Sequence, residues 1–169
     1  MIKYNHNLGY GITLVNDRVV RKTAQLSTKQ SFERFRAICH HFMVNPDPTV
    51  VPVYDFQCLE TPKSIFGMYR YQYDMMRLGM LSDKEKILIS HMNSYGRDRW
   101  ETESRIVEGR KNFSILYDFI ATIKLQGRYL DLHEGNVLKD DQENYLLIDL
   151  EGFYSPEPLE HPCNDWITR

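Results

Sequence analysis

The chain is poor in the features that would narrow its chemistry at once. It has three cysteines, Cys39, Cys58 and Cys163. An odd number at wide spacing gives neither a disulfide framework nor a C-x-x-C metal knuckle, and a reducing, cytoplasmic setting is expected. No apolar run approaches the ~20 residues that span a bilayer, and Met1 to His6 carries no apolar signal core. No membrane partner is expected. Neither charge is in excess. Lys and Arg total 21 against 23 Asp and Glu, a formal net charge of -2, which argues against a protein that holds nucleic acid through its phosphates. Internal repeats, low-complexity tracts and a G-x-S-x-G nucleophile elbow are also missing, so a serine hydrolase is unsupported. What is there is ordinary globular material: 169 residues, 42% hydrophobic and 26% charged, enough for one domain with its own core.

The front half reads as strands around one helix. Ile2 to Leu8 is a strand candidate ending at Gly9-Tyr10-Gly11. Ile12 to Val15 and Arg18 to Thr23 follow, joined by Asn16-Asp17, residues that tolerate the left-handed backbone of a tight hairpin. Ser27 or Thr28 is the candidate cap of a helix, with Gln30 completing a capping box from Ser27. Phe32, Phe35, Cys39 and Phe42, with Ile38 and Met43 beside them, form one apolar stripe at helical spacing, and Pro46 and Pro48 stop it. Strands are expected from Val50 to Cys58 and from Ser64 to Tyr71.

From Leu78 the pattern becomes helical. Asp83 to Ser94 is one expected helix and Arg110 to Gln126 another, closed by Gly127; the charged segment between them, Arg97 to Gly109, is either helix or exposed loop. A small hairpin follows, with Val137-Leu138 and Tyr145 to Ile148 on either side of a polar turn. The expected architecture is α+β in one domain, residues 1–169. A five-stranded antiparallel sheet with one helix (1–77) is joined by a hinge to a reduced helical lobe (78–169).

The chemistry concentrates in Tyr129-Leu-Asp-Leu-His-Glu-Gly-Asn-Val-Leu and Ile148-Asp-Leu-Glu-Gly152. Asp131 stands five positions before Asn136, and Asp149 follows an apolar run. Phosphoryl transfer from a nucleotide needs a carboxylate to orient or deprotonate the acceptor and oxygen ligands that hold Mg²⁺ against the phosphates. Asp131 suits the first task. Asn136 and Asp149, brought together by the hairpin, suit the second.

Here the chain resembles the protein-kinase-like superfamily. Asp131 with Asn136 matches its catalytic-loop D-x-x-x-x-N, and Asp149-Leu150-Glu151-Gly152 stands in place of D-F-G. The wording around Asp131 is similar to the aminoglycoside and choline phosphotransferase branch. The resemblance implies a two-lobed kinase-like fold with ATP and Mg²⁺ as cofactors. It also implies roles in the front half. Gly9 and Gly11 occupy the phosphate-covering loop, a plain turn being the alternative. Val20 would press on the adenine and Lys22 reach the phosphates, both on one face of a strand with Arg21 on the other; a solvated edge lysine is the alternative. Glu33 corresponds to the glutamate that holds the lysine, or is a surface residue. Met68 would line the adenine pocket through its backbone. His133 is expected to brace the loop by a structural hydrogen bond, and Asp140, Asp141 and Glu143 to solvate a turn. Cys39, His40 and His41 point different ways on a helix and make no zinc site.

The sequence departs from the family at Tyr129 and Leu130, where His and Arg usually precede the catalytic Asp, in the missing third glycine, and in the short stretch after Asp149. A constitutive kinase with an open acceptor site is therefore expected, acting on Ser/Thr of a partner protein. A catalytically silent interaction module, an AMP-transferring enzyme and a small-molecule kinase are the alternatives.

Overall fold

The computed structural model describes residues 11–64, 66–93 and 99–160. The strand expected from Ile2 to Leu8, with Gly9, lies outside them. The protein is α+β and divides into two compact units, one ending at Gly79 and the other beginning at Met80.

The first unit is an antiparallel sheet of four strands among the described residues, not the five expected, in the order β1-β2-β4-β3. β1 (Ile12–Asn16) and β2 (Val19–Leu26) form the expected hairpin. Its turn is tightened by Asn16 Oδ1, which accepts from the Arg18 amide at 2.9 Å. β3 (Val53–Glu60) and β4 (Tyr69–Met76) complete the sheet. Period two along β4 buries Tyr71, Tyr73 and Met75 on one face. Against these rings packs α1 (Lys29–Val44), burying Phe32, Phe35, Ile38, Cys39 and Phe42. Phe35 lies 4.7 Å from Tyr71 and Phe32 stacks on Tyr69 at 4.9 Å. Each buried aromatic contributes roughly 1.5–3 kcal/mol by removal from water. Thr28, not a Ser27–Gln30 box, caps the helix, accepting from the Ser31 amide.

The second unit holds α2 (Asp83–Asn93), α3 (Arg99–Asn112), α4 (Ser114–Gln126) and the hairpin of β5 (Val137–Lys139) with β6 (Tyr145–Leu147). The helix expected from Arg110 to Gln126 breaks at Phe113, whose backbone leaves the helical region. α4 buries Leu116, Ile120 and Ile123, and Gly127 ends it in the left-handed conformation.

A capping box opens α2. Ser82 Oγ accepts from the Glu85 amide at 3.4 Å, and Glu85 Oε2 accepts from the Ser82 amide at 2.6 Å and hydroxyl at 2.7 Å. The other oxygen, Oε1, accepts from Tyr145 at 2.7 Å and Lys139 at 3.2 Å. One buried carboxylate thus ties the hairpin to α2. No helix among the described residues is long and apolar enough to cross a membrane.

Candidate functional site

Past Gly127 the backbone runs extended over residues 128–130 and is met by residues 152–154. Tyr129 bridges Phe153, the Leu130 amide donates to the Gly152 carbonyl at 2.9 Å, and the Tyr154 amide to Arg128 at 2.8 Å. Everything the sequence marks as acidic chemistry lies between these two arms.

The first part is the loop from Asp131 to Asn136. The Asn136 amide N–H closes a turn onto the His133 carbonyl at 3.0 Å. The Asn136 side chain is buried, and its Nδ2 donates to the Asp131 carbonyl at 2.9 Å and to Asp131 Oδ2 at 3.1 Å. Asn93, the last residue of α2, donates to the Leu132 carbonyl from outside the loop. His133 Nδ1 accepts from the Gly135 amide at 3.0 Å, which turns Nε2 toward Asp131 Oδ2, 3.8 Å away. The Asp131 carboxylate is 61% exposed. It is held from one side and open on the other.

Asp149 enters from the hairpin. The Ile148 amide donates to the Asn136 carbonyl at 3.1 Å, which sets Asp149 next along the chain. Its own carbonyl then accepts from Gly152 at 3.1 Å in a short 3-10 turn over Leu150–Gly152, and its carboxylate does not cap that turn. The hairpin between the two parts is organised by Asp140, whose Oδ1 accepts from the Gln142 and Asn144 amides at 2.8 and 2.9 Å. Burial acts to raise the Asp140 pKa, but the Asn144 side chain and these two amides outweigh it and hold it below the usual carboxylate range.

Beneath the loop lies Tyr129, 6% exposed. Its ring meets Phe153 edge-on at 4.8 Å. On the other side it presses on Gly152, where a Cβ would stand 2.7 Å from the ring; only glycine fits there. Burial raises the Tyr129 pKa well above the ordinary phenol value. The charges of Asp149, Asp131 and Glu151 add to this, and the nearby Asn136 amide opposes it.

The front-half candidates are in the first unit. Gly11 has φ +78°, accepts from the Thr23 amide at 2.7 Å, and would place a Cβ 2.5 Å from the Thr23 carbonyl oxygen. The close approach of β2 and the positive φ require glycine at this position. Val20 is buried. Lys22 is half-buried, opposite Tyr73 in the sheet register, with Nζ 6.0 Å from that ring's centroid. Arg21 is engaged instead by Asp74 through two bonds, 2.7 and 2.9 Å, and the Asp74 side chain raises its pKa.

Two placements differ from expectation. Glu33 is exposed and pairs with Lys29 one turn back at 3.9 Å, not with Lys22. Met68 precedes β4 instead of ending it, because the strand runs Tyr69–Met76. It therefore lies about 25 Å, at ~3.3 Å per residue, from the end where the strand leaves the sheet.

Sequence reasoning missed Tyr129, Glu85 and Asn93 as organisers of this region. Ser82 three residues before Glu85 was a legible capping signal. The other two act across long sequence separations that no local pattern announces.

Among the described residues no group of three or more His, Cys, Asp or Glu side chains could hold a metal ion. No family model matches the chain. No curated protein matches it.

Proposed function

We propose that this chain transfers the terminal phosphoryl group of ATP, with Mg²⁺, to a hydroxyl acceptor, most directly Ser or Thr of a partner protein, on a two-lobed protein-kinase-like scaffold. The observation that carries the reading is the Asn136 side chain. It is buried and gives its Nδ2 protons to Asp131, so its amide oxygen faces away from Asp131 as a hard ligand. Mg²⁺ is commonly held by one or two protein oxygens together with phosphates and water, so a cluster of three acids is not required. Asn136 Oδ1 and the Asp149 carboxylate would hold it. When bound, the cation supplies compensation for charge on the phosphate oxygens.

Asp131 then has the acceptor's task. Asn136 and His133 approach Oδ2, which leaves Oδ1 to accept from the incoming hydroxyl. The acceptor oxygen bonds to the γ-phosphorus, the bond to the β-phosphate oxygen breaks, ADP leaves, and the hydroxyl proton passes to Asp131. Exposure of Asp131, His133 and Leu130, the last at 73%, supports an acceptor carried on another macromolecule's surface. Lys22 is the proposed phosphate ligand of the first unit.

One observation favours a second reading, a catalytically silent module. Active protein kinases need a lysine–glutamate ion pair, and Glu33 is paired with Lys29 instead.

Mass spectrometry after incubation with Mg²⁺-ATP and a soluble protein extract separates the readings. Phosphate added to protein, and lost with Asp131→Asn, is the expected result. AMP added means nucleotidyl transfer, label confined to small metabolites means a small-molecule kinase, and no addition supports the silent module.

A further inference from the structure

The loop between Asp131 and Asn136 uses only one of the two ring nitrogens of His133. Nδ1 accepts from the Gly135 amide at 3.0 Å. An N–H donates only to a ring nitrogen that carries no hydrogen. Nδ1 is therefore the bare nitrogen, and the proton of the neutral imidazole sits on Nε2. Nε2 lies 3.8 Å from Asp131 Oδ2, so its N–H is a donor facing that carboxylate. A mere brace would be complete with Nδ1 and the His133 carbonyl, which accepts from the Asn136 amide.

Gly135 shows that the place of the ring is built. Its backbone has no positive φ, so the turn itself does not call for glycine. A Cβ there would stand 2.8 Å from His133 Cε1 and 3.0 Å from Nδ1, and would displace the imidazole from the amide that sets its tautomer. Two donors then converge on one oxygen. Asn136 Nδ2 donates to Asp131 Oδ2 at 3.1 Å and to the Asp131 carbonyl at 2.9 Å, and the His133 Nε2–H faces the same Oδ2. A separation of 3.8 Å is longer than a hydrogen bond, and contacts of catalytic groups often tighten only when the reactants are in place. The carboxylate, 61% exposed, has room to close it.

We propose that His133 is a positioning residue for Asp131: its Nε2–H donates to Oδ2 when the acceptor hydroxyl seats, and locks the carboxylate with Oδ1 toward the hydroxyl proton. The inference rests on the phosphotransfer reading and deepens it. His133 keeps its own proton, and the acceptor's proton passes to Asp131.

Two substitutions separate the nitrogens. Asn places its amide oxygen near the position of Nδ1, so His133→Asn keeps an acceptor for the Gly135 amide and lacks the reaching donor. Gln places its amide nitrogen near the position of Nε2, so His133→Gln keeps the donor and gives up the brace. Wild type and both variants are followed by thermal unfolding and by the rate of phosphate incorporation into a soluble protein extract across a Mg²⁺-ATP series. Independently of activity, imidazole nitrogen NMR at about pH 8, where free imidazole is neutral, reads the tautomer; the His133 signals are those lost in His133→Asn. Expected are a proton on Nε2 and an unfolding temperature of His133→Asn near wild type. Its maximal rate should fall about 10- to 100-fold at an unchanged half-saturating ATP concentration, with part of that rate recovered in His133→Gln. A proton on Nδ1 would overturn the inference, as would a His133→Asn rate equal to wild type or a His133→Gln rate no higher than that of His133→Asn. A change confined to the half-saturating ATP concentration would assign the ring to the nucleotide and overturn it too. A wild-type chain with the expected tautomer that adds no phosphate to protein would remove the phosphotransfer reading, and the inference with it.

Discussion

Replacing Glu85 by Gln perturbs one buried carboxylate that accepts four hydrogen bonds, two at each oxygen. Glutamine keeps the shape and one accepting oxygen. That oxygen must face Ser82, because the backbone amide there can only donate, so the new NH₂ group faces Lys139 and Tyr145. Tyr145 can adapt by accepting. Lys139 cannot, and it retains only Glu143 at 2.8 Å, on the exposed side. Removing one partner of a buried ion pair costs about 3–5 kcal/mol. The surviving Glu143 contact sets the expected loss near the lower end, about 3 kcal/mol. For a cooperative unit of ~60–100 residues that is roughly 12–24 °C in unfolding temperature. Burial pushes the Glu85 pKa up, but the bonds from the Ser82 hydroxyl, Tyr145, the Ser82 amide and Lys139 outweigh it and the net shift is downward. A lowered folded pKa means stability that is complete above the unfolded value and lost as pH falls through the folded one. The gap between wild type and Glu85→Gln, followed by circular dichroism melts, should be constant around neutrality and close only below the ordinary glutamate range. A gap under about 4 °C at neutral pH, or one that widens in acid, would refute the reasoning.

Two further outcomes concern the site. Asp131→Asn preserves an oxygen for Asn136 and should leave thermal stability near wild type, while phosphate incorporation falls by ~10²–10⁴-fold for loss of the general base; undiminished incorporation would remove Asp131 from the chemistry. Lys22→Ala should cut turnover through lost phosphate positioning, whereas Arg21→Ala should act on stability, since Arg21 is engaged by Asp74. Full activity in the first and none in the second would exclude Lys22 from the phosphates.

Local signals carried much of this fold. The α1 stripe was legible because large apolar side chains recur at helical spacing, and the β1–β2 hairpin because β-branched runs flank Asn16-Asp17. The strand expected from Ser64 to Tyr71 lies five residues ahead of β4 at Tyr69–Met76, although Tyr69, Tyr71, Tyr73 and Met75 alternate with polar residues in the manner of a half-buried strand, and Met68 stands before it for that reason. The break at Phe113 carries no capping side chain, so the sequence offered no sign of it. Asp131 and Asn136 stand five residues apart, a local spacing legible in the sequence, and the Asn136 side chain joins them directly. The environment of Tyr129 depends on Gly152, far along the chain, and Glu33 turned outward because the apolar stripe beside it fixes the rotation of the helix.

The bridge between Tyr129 and Phe153 has a kinetic consequence. It makes the stretch it encloses a loop that is locked at its neck. Inside that loop the Ile148 amide bond to Asn136 connects the acceptor side to the cation side, while the Asn136 and Gly152 amides each hold the turn on their own side, making a set of three. Unzipping the neck would release all three in one sub-global opening while α4 stays intact, so these protons should exchange with solvent as a single class; unrelated exchange rates would argue for separate openings. A solvent or ligand change that shifts this one equilibrium would then turn the whole centre on or off together, with no intermediate setting.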